Sequence, residues 1–364
     1  MTNNLSFQPD WVSPPGETIS DFLSENNISL EDFSQKMVFS DAFTKKILKG
    51  KEPITQEIAE NLVRILGSTS EFWINRELQY QNDIKYLESE RIERQEWIKK
   101  LPIRDMVRFG WIKPQKSKLE KIQEVLDFFN VSNTEEWYET YHDLHIAASF
   151  RTSSTFDSEA DSVIAWLRQG EIESKSLICK PWNPTCFREK LVELRSLSRE
   201  KNPQIFIPKL EKPLAECGVA LVVVPTPSKC SASGATFFIS PEKALLLLSF
   251  RHLSDDHFWF SFYHEAGHIL LHSNKSLFLE GVEKMTSKEE EEANSFAESI
   301  LIPDEFQKEL KSLRPNKWRE IIRFAKKIGV SPGIVVGQLQ HIGTVRHNQL
   351  NKLKTRYRWV DIKG

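Results

Sequence analysis

The chain has 364 residues, of which 40% are hydrophobic and 27% charged, with a formal net charge of −2. A length of this order favours two or three domains over one, and 23 Phe with 10 Trp exclude a disordered chain. The near-neutral charge excludes a basic nucleic-acid coat protein or a membrane-surface binder, while leaving a local DNA contact open. Cys179, Cys186, Cys217 and Cys230 show no C-x-x-C spacing, which predicts four reduced, mostly buried thiols in a reducing compartment. Met1 to Pro15 is polar and lacks the charged-then-apolar pattern of a leader. The longest apolar runs, Ala244 to Leu248 and Gly218 to Pro225, fall far short of the ~20 residues that span a bilayer. These features predict a cytoplasmic chain with no membrane partner.

Five short amphipathic helices are predicted between residues 11 and 80. The first covers Gly16 to Asn27. The second follows Ser29, whose partner three residues on, Asp32, makes a weak capping box. Ser40 caps a third, which ends at Lys49 before Gly50. Thr55 opens a fourth that Gly67 stops, and the fifth runs from Ser70 to Tyr80. Two helices joined by Val38-Phe39-Ser40 fit a helix-turn-helix. The runs PPGETISDFLSENNISLEDFSQKM, SDAFTKKILKGKEPIT and LGSTSEFWINRELQY resemble the HigA-type antitoxin domains of the Xre-like helix-turn-helix class. That resemblance covers about residues 11–85 and implies that the Ser40 to Lys49 helix enters a major groove. Lys45, Lys46 and Lys49 are then the DNA-binding candidates. Against this, residues 11 to 80 hold 7 Lys and Arg and 11 Asp and Glu, a poor match to phosphates.

Residues 86–200 read as charged helix, with LESERIERQEWIKKL as a solvated amphipathic segment. Pro102, Pro114 and SSTFDSEADS break the pattern, and KPWNPT is a loop. At Gly218 the period changes. GVALVVVP is a β-branched run bounded by Gly and Pro and predicts a buried strand. Ser233 to Ile239 and Leu245 to Phe250 predict two more strands joined at Ser240-Pro241-Glu242. A helix follows from about Asp255 to His272.

That helix carries His264-Glu265-Ala266-Gly267-His268. Histidines at i and i+4 share one helical face, so their imidazoles can converge on one zinc ion. Glu265 sits beside the first ligand, where it can act on water as a general base without ligating. Phe258, Trp259, Phe260 and Phe262 before the motif, and Ile269, Leu270 and Leu271 after it, predict a buried helix that keeps bulk water out. A catalytic zinc needs a third protein ligand. In the downstream run EEEEANSFAE, the apolar positions Ala293, Phe296, Ala297, Ile300 and Leu301 mark a buried face. Glu290 shares that face, with Glu289 the nearest rival and Glu292 a weaker one. Asn294, one turn after Glu290, can hold a ligand histidine by its other ring nitrogen. His272 reads as a supporting or capping group. Tyr263, His252, His257 and His341 are the candidates for stabilising an oxyanion, and the strand near Ala235 to Ile239 is a candidate for pairing with an extended substrate.

FYHEAGHILLH followed by EEEANSFAESILIP resembles the ImmA/IrrE family of metallopeptidases, the M78 peptidases. That family pairs HExxH with E-x-x-A-(N/D)-x-x-A, onto which Glu290, Ala293, Asn294 and Ala297 fall. RFAKKIGVSPGIVVGQLQH resembles the helical end of the family, and the likeness extends over about residues 190–345. The expected architecture is multidomain: an all-α helix-turn-helix domain at 11–85, a helical connecting region at 86–189, an α+β zincin-like metallopeptidase core at 190–310, and a C-terminal helical subdomain at 311–364. The resemblance implies a zinc endopeptidase that cleaves a helix-turn-helix repressor, with operator DNA, a toxin and a second copy as further candidate partners. The competing reading is an antitoxin-like DNA-binding transcriptional regulator whose metal site is sensory or structural.

Overall fold

The structure, a computed structural model, describes residues 11–151, 160–272, 278–279 and 288–359. Most of the SSTFDSEADS stretch lies outside them. The chain divides into two compact units, Met1–Trp97 and Ile98–Gly364.

The first unit is helical: α1 Pro15–Glu25, α2 Leu30–Met37, α3 Asp41–Leu48, α4 Gln56–Leu66 and α5 Ser70–Lys100. Side-chain oxygens satisfy the orphan amides at three helix starts. Ser29 accepts from the Asp32 N–H at 3.1 Å, Ser40 from Phe43 at 3.2 Å and Thr55 from Ile58 at 3.4 Å. Ile19, Phe33, Met37, Ile47, Leu62 and Trp73 make the core. The turn between α2 and α3 puts Val38 in the left-handed region at φ 60°, a strained choice for a β-branched residue. α5 does not stop at Tyr80. It runs for 31 residues because no Gly or Pro interrupts it and the charged continuation is itself good helix former.

The second unit holds α6 Ile103–Arg108, α7 Lys118–Phe129, α8 Thr134–Arg151, α9 Ala160–Ser176, α10 Pro184–Leu194 and α11 Pro203–Ala215. Then come β1 Val219–Val223, β2 Gly234–Ser240, β3 Lys243–Leu248, α12 Asp255–Leu271, β4 Phe278–Leu279 and α13 Lys288–Leu301. α14 Gln307–Ser312, α15 Trp318–Ile328 and α16 Pro332–His341 complete it. The strands form one sheet in the order β1-β3-β2-β4. β1 runs parallel to β3 (Val219 opposite Ala244), while β2 is antiparallel to both β3 and β4.

Both sheet faces are buried, so the strands read as continuous apolar runs. Val222, Leu245 and Leu247 pack with Val163, Trp166 and Leu167 of α9. Leu221, Leu246 and Leu248 pack with Leu210 and Leu214 of α11 and with Trp259 and Phe262 of α12. The helix from the expected connecting region is therefore a layer on the sheet. The C-terminal helices likewise share the main core with α12, through Ile321, Phe324, Val335 and Leu339. Asp255 clamps the start of α12, accepting from the Ser331 hydroxyl at 2.8 Å and the Thr355 N–H at 3.0 Å. Asp256 pairs with Lys354 at 2.6 Å, both nearly enclosed.

Two features differ from expectation. Cys186 and Cys217 form a disulfide, leaving Cys179 and Cys230 as thiols. Their separation of 31 residues carries no spacing cue. They meet because the N–H of Asn183, the cap of α10, donates to the Cys217 carbonyl at 3.0 Å. The inference of a reducing compartment from four thiols thus loses its premise. Secondly, β2 is not an open edge at Ala235 and Thr236, which pair with Leu247 and Leu246 on one side and with Leu279 and Phe278 on the other. The expected substrate pairing near Ala235 to Ile239 is thus closed off at Ala235 and Thr236. Among the described residues no helix is long and apolar enough to cross a membrane.

Candidate metal centre

α12 is buried on nearly all sides, with His264, Glu265 and His268 each at most 2% exposed. α13 packs close beside it because the crossing point is made of small residues. A Cβ on Gly267 would lie 3.2 Å from the Ala293 Cα and 3.1 Å from the Phe296 ring. That proximity lets Glu290, on the first turn of α13, reach across to both histidines. Its carboxylate oxygens lie 3.3 Å from His264 Nε2 and 3.6 Å from His268 Nε2. The two Nε2 atoms are 3.0 Å apart. Among the described residues, His264, His268 and Glu290 form a group able to hold a metal ion, with all ligand atoms within 4.8 Å of one another.

The far side of each imidazole sets its tautomer. Asn294 Oδ1, an acceptor, lies 2.9 Å from His264 Nδ1, so that nitrogen donates and Nε2 keeps its lone pair. His268 Nδ1 lies 3.1 Å from His272 Nδ1, and His272 Nε2 lies 3.0 Å from Glu292 Oε2. A carboxylate accepts, so His272 Nε2 donates to Glu292. His272 Nδ1 is then the acceptor for His268 Nδ1–H, and His268 Nε2 also presents a lone pair. Two lone pairs and a carboxylate thus face one another at 3.0–3.6 Å, an arrangement that calls for a cation among them. A tetrahedral zinc bound at ~2.0–2.2 Å sets its ligand atoms ~3.3–3.6 Å apart, which the observed separations bracket.

The charge states agree with this geometry. Burial pushes His268 below the ordinary imidazole range, against the pull of Glu290. Burial opposes ionisation of Glu290, yet its place against His264 and His268 holds its pKa down to about 2. Neutral imidazoles and an ionised carboxylate are the forms that bind a metal.

Glu265 is fully buried and lies against the start of β2. A Cβ on Gly234 would come within 2.6 Å of the Glu265 Cγ and Oε1, so only glycine leaves that carboxylate its place. Sequence reasoning missed Gly234, whose sole signal is a glycine opening a strand. It also missed that Glu292 supports His272, since no local spacing joins residues 20 apart.

The oxyanion candidates separate. Tyr263 is excluded, because its buried hydroxyl donates to the Leu191 carbonyl at 3.0 Å. His341 is exposed on α16, 3.7 Å from Glu298. His252 and His257 stack with ring centroids 4.1 Å apart, and they line a small cavity with Ser233 and Ser261. Ser233 precedes Gly234, and Ser261 lies one turn before Glu265. Burial and the charge of His257 push the His252 pKa down to about 4. In the first unit, Lys45, Lys46 and Lys49 are all exposed at α3, with Lys46 3.3 Å from Glu52.

Comparison with known proteins agrees with the resemblances read from the sequence. The chain is 34% identical over 61 residues to the "Uncharacterized HTH-type transcriptional regulator YddM" of Escherichia coli (strain K12). That stretch is 17% of this chain and spans 65% of the length of the curated relative. Residues 222–339 match the model of the IrrE N-terminal-like domain, Peptidase_M78. The part of the chain that bears the two histidines and their acidic partners thus lies within the match to the Peptidase_M78 IrrE N-terminal-like domain.

Proposed function

We propose that the protein is a zinc-dependent endopeptidase and transcriptional regulator that cleaves a helix-turn-helix repressor. The observation that carries this reading is the convergence of His264, His268 and Glu290 at 3.0–3.6 Å, with the buried Glu265 carboxylate on the adjoining helical position. Zinc held by those three side chains would polarise a scissile carbonyl and make an attacking water more acidic. Glu265 takes the proton from that water and returns it to the leaving amine. Asn294, together with His272 and Glu292, holds the ligand rings in the tautomer that leaves Nε2 open. Gly234 leaves room for the base. The experiment is incubation of the zinc-supplied chain with purified helix-turn-helix repressors, read by intact mass. Two complementary fragments should appear and should be lost with a chelator. Repressors that stay whole across the panel, with zinc bound, sink the peptidase reading.

The helix-turn-helix reading of α2 and α3 is supported by their capped geometry and by the likeness to an HTH-type regulator. Lys45, Lys46 and Lys49 are proposed to contact DNA phosphates. A Lys45→Ala/Lys46→Ala variant should bind operator DNA more weakly and lower the salt slope by roughly one per lost phosphate contact. Unchanged affinity and slope in a salt titration would remove the role.

A further inference from the structure

The disulfide between Cys186 and Cys217, 31 residues apart, closes a covalent loop. The loop contains α10, α11 and the turn between them. Its two ends meet at a tight crossing. The Lys180 N–H donates to the Ala215 carbonyl at 2.9 Å, and the Asn183 N–H donates to the Cys217 carbonyl at 3.0 Å. A Cβ on Gly218, which has φ 89°, would overlap the Trp182 Cα. The segment leading to Cys186 is therefore pressed against the turn before β1.

This loop grips both helices that carry the metal ligands. On α10, the Leu191 carbonyl accepts from the Tyr263 hydroxyl at 3.0 Å, and Tyr263 is the residue before His264 on α12. Just after α10, Arg195 donates to the Ile300 carbonyl at 3.2 Å. Ile300 lies in the last turn of α13, where carbonyls have no partner within the helix. On α11, the Phe206 ring packs on Phe258 and Trp259 of α12, with centroids 5.3 and 5.4 Å apart. α12 supplies His264 and His268, and α13 supplies Glu290 and Asn294. One covalently closed element thus spans the two helices whose relative position sets the ligand separations.

The two sulfur-bearing residues differ in access. Cys217 is fully buried, whereas Cys186 is partly exposed beside the exposed Asn183, Pro184 and Thr185. An external thiolate therefore meets Cys186 first. Attack there forms a mixed disulfide with Cys186 and expels Cys217, which takes up a proton. The second thiol of a dithiol then attacks the mixed disulfide, departs as a cyclic disulfide and leaves Cys186 as a thiol. Two electrons and two protons pass from the dithiol to the cysteine pair.

We propose that the Cys186–Cys217 disulfide is a redox lock on the metal centre. Closed, it makes residues 186–217 a brace that fixes α12 against α13. Reduction by a dithiol loosens the brace and weakens zinc binding. The cross-link denies the two ends of the loop the freedom to part, and the grips at Tyr263 and Arg195 pass that restraint to the ligand helices. The lock rests on the zinc reading of His264, His268 and Glu290, so its test includes a measurement made without metal.

Thiol labelling of the full chain, read by intact mass, should count the two thiols of Cys179 and Cys230 before treatment with dithiothreitol and all four cysteines after it. Zinc affinity, measured by competition with a chromophoric chelator once the dithiol is removed, should fall about tenfold on reduction and recover on reoxidation. In the metal-free chain, hydrogen exchange over residues 260–268 and 293–301 should quicken on reduction. A Cys186→Ser/Cys217→Ser variant should match the reduced chain. A Tyr263→Phe/Arg195→Ala variant cuts both grips and keeps the sulfurs, so its zinc affinity should be low in either state and indifferent to reduction. Four thiols before any reductant, unchanged exchange, or a full response to reduction in the Tyr263→Phe/Arg195→Ala variant would overturn the proposal. Zinc bound equally in the two states would overturn the lock alone, whereas zinc bound in neither would overturn the zinc reading with it.

Discussion

Replacing Glu265 by Gln is expected to lower hydrolysis by roughly 10²–10⁴-fold, the contribution of a positioned general base, while zinc content stays at the wild-type level. Glutamine keeps the shape and volume of the side chain, so the contact with Gly234 and the packing of α12 persist. It cannot accept a proton from water at neutral pH. His264, His268 and Glu290 are untouched, so the metal should remain. The measurement is paired: zinc per chain by mass spectrometry, and fragment formation from a cleaved repressor. Equal cleavage by the variant would rule out Glu265 as the base. If both proteins bind zinc and neither cleaves, the sensory or structural role for the metal becomes the stronger reading.

The His264→Ala variant is expected to lose the metal, against about one zinc per chain in the wild type. Removing one imidazole leaves His268 and Glu290, too few ligands to hold zinc against water and buffer. Asn294→Ala is the graded companion. It keeps all three ligands but releases the His264 ring from the 2.9 Å bond that sets its tautomer. Loss of such a support weakens metal binding by roughly 10–100-fold, measurable by competition with a chromophoric chelator. Zinc should also stabilise the wild-type fold, by about 2.7 kcal/mol at a hundred times its dissociation constant, and should leave the melting point of His264→Ala nearly unchanged. Wild-type protein that takes up no metal after zinc is supplied would refute the centre.

The sequence by itself determined what depends on local spacing. Histidines four apart must share a helical face, and the structure has both rings turned to one point. Ser29, Ser40 and Thr55 precede helices because a side-chain oxygen there completes the first turn. Runs such as GVALVVVP read as strands because both of their faces are buried. What the tertiary structure decided rests on residues far apart in the chain. The close crossing of α12 and α13 brings Glu290 to the histidines, and Gly267 and Ala293 permit it by their size. The support of His272 by Glu292, the seat of Glu265 against Gly234, and the union of Cys186 with Cys217 all join separate elements. The parallel pairing of β1 with β3 is of the same kind. Periodicity records which face of an element is apolar, but not which other element covers it. That choice is made by packing, whose energy depends on shape complementarity between segments rather than on order along the chain.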